Sequence, residues 1–560
     1  MLKINKLIPL LIVFVIANFF LLFYFKNNTS GYLSFSDAAK FADMAKNIIK
    51  GSGYFSSFSF GVKSVFSSDH SFFPSPWIPP LMPYSIAIFY KIMGISDLTV
   101  IFVSASYFLI LIQFVYLLAE KLFGKFVGLL SAIIMAANID FLNYATNGST
   151  ETLFSLEIIA AAFFIAFKKK QYDLIALVLL ILSYFTRPQA FIYIAGLILY
   201  WLLLNFKLKK AFIYFCSVVI IGFLVDYFIL SWLAGRYFLY SVTTRGLGSA
   251  AQVAAGGSPS DSLRGAVSGG LLISDLFKKT FYNLYNFYKL LPRIMNPYLF
   301  TLFFVGLSRH HNGIEKNAFR FAVVFMTLLT LLVTAMSIPF FRYLHPVTPL
   351  IIILAVDMLV WSVEKVGSEW KLLYGDKNTK RNKPLSLLNA QNLIISTSLI
   401  LVLFFAVGQT LGVIFLDSRY EKHTHNYGKP PVYALLSWKL KDNTDQEDII
   451  VTNLDTWGSW YGERKTVWFP LVPSQLINTQ NESIPFDAIY LTNYLMDDQN
   501  YYMGDSWRQI FNLPLDPSLW NCAKCSEIAD EFEVKDVYQI PATDNFENLS
   551  AYAVLFVKRN

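Results

Sequence analysis

Apolar runs of about 18 residues or more recur along this chain and constrain its fold before any motif does. A run of that length spans the hydrocarbon of a bilayer, where every backbone N–H and C=O must find its partner within the protein, so each run reads as a helix. The candidates are 7–25, 97–119, 125–143, 150–167, 172–186, 189–206, 211–234, 290–307, 318–338, 343–361 and 393–416, about eleven crossings of the expected length. Of the 560 residues, 15% are charged and 55% hydrophobic, whereas an ordinary soluble domain carries about 25% charged residues. The chain therefore belongs to the polytopic α-helical membrane class. A shorter stretch, Ile78 to Met93, opens "IPPLMP" and reads as a re-entrant or juxtamembrane helix.

Charge then orients the spans. The first run is too long for the apolar region of a signal peptide, and "KNNTSGYLS" after it offers no clear small-residue cleavage site, so an uncleaved anchor is expected. Basic clusters at Lys3/Lys6, Lys121/Lys125, Lys168–Lys170, Lys207–Lys210, Arg309–Arg320 and Lys365–Lys383 fall on one side if the spans alternate. By the positive-inside rule that side is the cytoplasm. The net charge of +8 is thus spent on topology in short clusters, not in basic stripes that would suit a nucleic acid. The outer face receives a loop over 26–96, a second over 235–289, and the tail from 417 to 560.

The tail changes composition and reads as a separate extracytoplasmic α/β domain. "VYALLSWKLKDN" has helical periodicity, while "DIIVTN", "TVWFP", "DAIYLTN" and "AYAVLFVK" read as strands. It has no Gly-rich phosphate loop and implies no nucleotide. Cys216 sits in an apolar run as a small core residue. Cys522 and Cys525 form a lone CxxC, compatible with a local disulfide or, more weakly, with zinc.

The first outer loop contains "FSDAAKFADMAKNIIKGSGYF", which is amphipathic over 37–50. Ala38, Phe41, Ala42, Ala45, Ile48 and Ile49 share one face, and Lys40, Asp43, Lys46, Asn47 and Lys50 the other. Gly51 supplies a stop. The pattern predicts a helix lying at the membrane surface, with its lysines among lipid head groups. Asp37 stands in its first turn, either as a capping acid or as a functional one. Asp43 reads as a solvated surface acid or, alternatively, as a second catalytic candidate.

An anchor followed by "SDAAKFADMAKNIIKGSGY" and "PSPWIPPLMPYSIAIFYKIMG" resembles the start of the multispanning, lipid-dependent glycosyltransferases of the GT-C fold. "NGSTETLFSLE", "SYFTRPQAFIYIAG" and "FRYLHPVTPLIIILA" follow in the family's order and sidedness. Within that superfamily the chain is most similar to the protein O-mannosyltransferase and aminoarabinose-transferase branch. The resemblance covers most of the membrane part and implies an essential aspartate at the start of a juxtamembrane helix. Asp37 is the matching position. The acid that often follows it in the family is Ala38 here, so the resemblance implies metal-independent transfer without a cofactor. It also implies a polyprenyl-phosphate sugar as donor and a glycan, lipid or protein acceptor at a prokaryotic plasma membrane. No insertion large enough for a carbohydrate-binding trefoil is present.

Ionisable groups at span ends cost too much to be idle, at about 2.5–3.5 kcal/mol for a charge placed mid-span. Glu151 begins the fourth run, Arg187 lies between the fifth and sixth, and Arg342, Tyr343 and His345 open the tenth. Arg187 and Arg342, with Tyr343, are the expected phosphate-binding groups, because a guanidinium grips phosphate through two parallel donors. Snorkelling, or pairing of Glu151 with an arginine, is the structural alternative. His70 reads as a loop residue or an acceptor-binding one. The Gly, Ala and Ser-rich stretch Thr243–Gly270 has the composition of a lid or an idle loop. The expected activity is hexosyl or pentosyl transfer with inversion, Asp37 acting as base and "PPLMP" walling the prenyl chain. A flippase for lipid-linked glycans would instead show internal repeats and midplane charges, and a glycan polymerase or ligase would use the same donor class.

Overall fold

The computed structural model describes residues 4–59, 73–74, 78–225, 227–228, 273–291, 295–309, 311–337, 339–374, 400, 404, 407–408, 410–415, 428–470, 473, 476, 486–495, 503–511 and 532–559. His70, the Thr243–Gly270 stretch, Cys522 and Cys525 lie outside these residues, as does much of the 393–416 run.

Helix α1 (Ile4–Asn28) enters the bundle, and α2 (Ser36–Ile49) and α3 (Leu81–Met93) follow in the 26–96 loop. The bundle continues through α4 (Asp97–Phe123), α5 (Lys125–Ala136), α6 (Ile139–Asn147), α7 (Glu151–Ile165), α8 (Lys170–Tyr184), α9 (Ala190–Asn205) and α10 (Leu208–Val225). Farther along the chain come α11 (Ile273–Lys289), within the 235–289 stretch, then α12 (Pro297–Leu307), α13 (Ile314–Met336) and α14 (Thr348–Tyr374). Four described helical segments are long and apolar enough to cross a bilayer: Leu7–Asn28, Asp97–Phe123, Ile314–Met336 and Phe341–Val366. The run 125–143 is not one straight span. It breaks into α5 and α6 with a bend of 58°, where Asn138 caps α6 by accepting a bond from the Phe141 amide. The other runs form helices shorter than a full crossing or reach beyond the described residues, so the count of about eleven is not established by the helices alone.

The tail holds α15 (Val432–Asn443), α16 (Thr456–Trp460) and α17 (Asp505–Phe511) around a six-stranded sheet. Strands β4 (Ile449–Thr452), β5 (Lys465–Trp468), β6 (Ala488–Thr492) and β8 (Ala551–Lys558) coincide with the four apolar segments read from the sequence. Two further strands complete it. β7 (Phe532–Ile540) forms one edge, and β2 (Phe58–Ser59), from the 26–96 loop, forms the other. The order is β2-β5-β4-β6-β8-β7, parallel from β2 to β6 and antiparallel at β6·β8 and β8·β7. β1 (Phe55–Ser56) pairs with β3 (Phe73–Pro74) in a small antiparallel ribbon beside it.

Because the 26–96 loop supplies an edge strand, the helix that carries Asp37 is enclosed. The expected lipid-facing helix is corrected here: Lys40, Asp43 and Asn47 are buried along with Ala38, Ala42 and Ala45. The Lys40 ammonium lies 5.2 Å from the Phe58 ring centre and that of Lys46 lies 5.6 Å from Trp460, so one serves a ring of the edge strand β2 and the other a ring of tail helix α16. Small residues let neighbours approach closely. Gly148, which ends α6 at φ +82°, has Val100 and Ala38 so near that a Cβ there would stand 2.8 and 3.1 Å from them.

Asp43 is likewise no surface acid. Its Oδ2 accepts from the Ser57 amide (2.6 Å) and the Ser56 hydroxyl (3.1 Å), and its Oδ1 from the Ser57 hydroxyl (2.8 Å). Burial pushes its carboxyl above the usual carboxylate range, against the pull of these donors. The carboxylate thus pins β1–β2 to α2. Asp43→Ala leaves buried donors unpaired, at about 1–3 kcal/mol for each. The expected outcome is a clearly lowered thermal midpoint in detergent, with Asp43→Asn in between; wild-type melting of the alanine variant would contradict this role.

Candidate active site

The centre of the site is the segment between α13 and α14, "FFRYLHPV". It forms two 3-10 turns, Phe341–Tyr343 and His345–Val347, because Pro346 lacks the N–H that would continue a regular helix. The C-terminal end of α13 is closed from outside. Lys279 donates to the carbonyls of Met336 (3.3 Å) and Ser337 (2.9 Å), and Asn283 to that of Ala335 (2.8 Å).

Arg342 leaves this segment toward α2. Its Nη1 lies 3.0 Å from Asp37 Oδ2, and its guanidinium is stacked among Phe35 at 4.6 Å, Tyr343 at 5.3 Å and Phe340 at 5.7 Å. Tyr343 stands between two arginines, with the Arg187 guanidinium 5.5 Å from the same ring. Arg187 is itself buried against Glu151, Nη1 to Oε1 at 2.5 Å, and donates to Thr150 Oγ1 at 3.2 Å. Five candidates from four distant parts of the sequence (Asp37, Glu151, Arg187, Arg342 and Tyr343) thus form one continuous cluster. Within it the Glu151–Arg187 pair is closed, with side chains 2% and 10% exposed, whereas Asp37 and Arg342 remain 31% and 22% exposed. The open pair is the one a substrate can reach.

His345 turns to the other side. Its Nδ1 shares a hydrogen with the Tyr144 hydroxyl at 2.6 Å, and its Nε2 lies 3.9 Å from Asp140 Oδ2. Neither Asp140 nor Tyr144 was singled out from the sequence. An acid inside the apolar run 125–143 was the available signal, and the bend before α6 is what brings it to the site. Asp37 is not the cap of α2: Phe35 occupies the cap position and offers no side-chain bond, and Asp37 lies inside the first turn.

An apolar cavity of about 340 Å³ adjoins the same turns, walled by Leu284, Phe287, Leu331, Leu344, Val347 and Ile351 among others. It lies between α11, α13 and α14 and does not involve the "PPLMP" segment. Among the described residues no group of three or more His, Cys, Asp or Glu could hold a metal ion.

With this arrangement in view, residues 78–246 match the family model of dolichyl-phosphate-mannose-protein mannosyltransferase. No curated protein sequence matches the chain significantly. Among solved structures it is similar to the archaeal oligosaccharyltransferase AglB from Archaeoglobus fulgidus, solved with an inhibitory peptide and a dolichol-phosphate. That match has 15% identity and a TM-score of 0.55, over 87% of this chain and 70% of the other. ArnT from Cupriavidus metallidurans, bound to undecaprenyl phosphate, matches at 11% identity and a TM-score of 0.53, over 87% and 93% of the two chains. The fold is the GT-C fold. It extends over the bundle and the tail together, since both matches cover most of the chain.

The closed pair makes a prediction of its own. Removing one partner of a buried ion pair costs about 3–5 kcal/mol, because the other charge is left unpaired. Glu151→Gln and Arg187→Gln are each expected to lower the melting temperature strongly, and the double variant to recover most of the loss. Additive losses in the double variant would show that the two side chains do not act as a pair.

Proposed function

We propose that this protein is an integral membrane glycosyltransferase that moves a sugar from a polyprenyl-phosphate donor to a hydroxyl acceptor on the extracytoplasmic face. The observation that carries the reading is the convergence on one turn of a reachable carboxylate–guanidinium pair and an apolar cavity. Arg342 belongs to the first, and Leu344 and Val347 to the second. A prenyl-phosphate sugar has those parts in that order: a chain for the cavity, a phosphate for the cation, and a sugar beyond.

In the proposed reaction the acceptor oxygen attacks the anomeric carbon while Asp37 takes its proton. The bond from that carbon to the phosphate oxygen breaks, and its electron pair leaves with the prenyl phosphate. Arg342 meets the growing charge on that oxygen, with Arg187 fixed behind the shared Tyr343 ring. A guanidinium has five donors, so Arg342 can hold Asp37 through one and phosphate through others. A single displacement inverts the anomeric centre. Because the reachable Arg342 guanidinium supplies positive charge for the leaving phosphate, the transfer is proposed to need no metal. Asp43 is a weaker base candidate, since buried donors already occupy both of its oxygens. The basic clusters between runs support a cytoplasmic N-terminus, about eleven crossings and an outer tail.

Asp37→Asn keeps the shape and, away from the cap position, leaves the helix start intact. Release of undecaprenyl phosphate from a synthetic undecaprenyl-phosphate hexose or pentose is expected to fall by roughly 10²–10⁴-fold. A stable Asp37→Asn protein with near-normal turnover would remove Asp37 as the base. Arg342→Lys retains the charge but loses the planar fork. The same assay should then show a large loss of turnover in a protein that still folds, and full activity would count against phosphate binding by Arg342.

A further inference from the structure

Helix α2 begins without a side-chain cap, although it carries the proposed base in its first turn. What fixes that turn comes from the tail. The carbonyl of Leu33 accepts from Trp457 Nε1 at 2.9 Å, and its amide donates to the Tyr461 hydroxyl at 2.9 Å. The carbonyl of Ser36, the residue directly before Asp37, accepts from the Thr456 hydroxyl. Three backbone groups within four residues are therefore held by one short stretch of the tail.

That stretch is anchored in turn to the bundle. The Tyr461 hydroxyl donates to Asp97 Oδ2 at 2.8 Å and Trp460 Nε1 to Asp97 Oδ1 at 2.7 Å, at the first residue of α4. Its geometry is also strained. Asp455 adopts φ 55° and ψ −145°, a conformation that residues with a Cβ rarely tolerate, and its side chain accepts from the Thr456 amide at 2.7 Å. This kink lies just beyond β4, where Asn453 ties β4 to β6 by accepting from the Thr492 amide (2.8 Å) and donating to the Thr492 carbonyl (2.8 Å). The carboxyl ends of parallel strands are where open α/β sheets bind ligands. Here the protein's own chain, Leu33–Ser36, lies against that edge.

We infer that the tail segment Asp455–Tyr461 is a positioning element of the active site, with Thr456, Trp457 and Tyr461 fixing where the Asp37 carboxylate stands relative to Arg342. The inference rests on Asp37 being the base. None of these residues touches the reacting atoms; they act through the backbone of Leu33 and Ser36. A base displaced by about 1 Å loses roughly a hundredfold in rate, so loosening this hold should reach turnover before it reaches donor binding.

Tyr461→Phe and Thr456→Val remove one hydroxyl each and keep the shape. Tyr490→Phe is the control: its hydroxyl donates to the Leu436 carbonyl inside the tail, away from the outer loop. Hydrogen exchange on the full-length protein in detergent should be faster at the amides of residues 33–40 in the first two variants and unchanged there in the third. With an undecaprenyl-phosphate hexose as probe, kcat should fall roughly ten- to a hundredfold, while KM for the donor stays within a factor of about two of wild type. In an Asp37→Asn background the same changes should cost little more. Unchanged exchange at 33–40, or an equal fall in kcat with and without Asp37, would overturn the inference. If Asp37→Asn alone retains wild-type turnover, the assignment of the base fails, whereas the exchange measurement still decides whether the tail holds the helix.

Discussion

The contact between Arg342 and Asp37 joins segments 305 residues apart in the chain and sets how the rest must pack. For the carboxylate to stay charged beside apolar helices, its partner must be close and fixed. Fixing Arg342 takes the 3-10 turns, the closure of α13 by Lys279 and Asn283, and the aromatic rings around the guanidinium. Fixing Asp37 takes a helix enclosed on its polar face as well as its apolar one. The second pair, Glu151 with Arg187, is closed and leaves Asp37 with Arg342 as the pair a substrate meets. On the proposed reading, Arg342 keeps Asp37 in place through Nη1 while its remaining donors take the phosphate, so one guanidinium holds base and donor side by side.

One apolar core reflects the same demand. Ala38, Met44, Ile86 and Val100 from the loop and bundle are buried together with Leu436, Trp457, Tyr490 and Leu555 of the tail. The core passes from the bundle to the tail sheet without a break, and strand β2 joins the 26–96 loop to that sheet through β5. A tail tethered only at its N-terminal end would leave α2 exposed on its polar face. This one covers that face and uses the helix lysines as cation–π partners. The charges of Lys40 and Lys46 are thereby satisfied without lipid.

How much of this was legible in the sequence follows from how local each signal is. The apolar runs and the four central strands were legible, because a buried parallel strand such as "IIVT" is continuous in hydrophobicity. β7 was missed since Glu533, Lys535 and Asp536 interrupt its alternation, as befits an edge strand with a register shift at Val534/Asp536. β2 has two residues and no pattern at all. The periodicity of α2 was read correctly, but its polar face was assigned to the membrane surface. Periodicity states which side is polar and not what covers it. Glu151, Arg187, Arg342 and Tyr343 stood out as charged or aromatic groups at span ends, and Asp37 as the first-turn acid that the family resemblance marks, and they do meet. Asp140 and Tyr144 did not, since the break between α5 and α6 that delivers them lies inside an unbroken apolar run.

The turn between α13 and α14 shows why so short a segment can serve an amphiphilic substrate. Three residues per 3-10 turn send alternate side chains to different sides. Arg342 and Tyr343 go to the charged cluster, His345 to Tyr144, and Leu344 and Val347 to the apolar cavity. A regular helix continued through the segment would set its side chains about 100° apart around one axis and so could not hold the same neighbours. Pro346 prevents that continuation, and α14 resumes at Thr348 once the side chains are distributed. The boundary between charge and hydrocarbon is thereby compressed into one residue step, Tyr343 to Leu344. On the proposed reading this step matches the one from phosphate to the first carbons of a prenyl chain, and a donor anchored there would present its sugar on the side of Asp37.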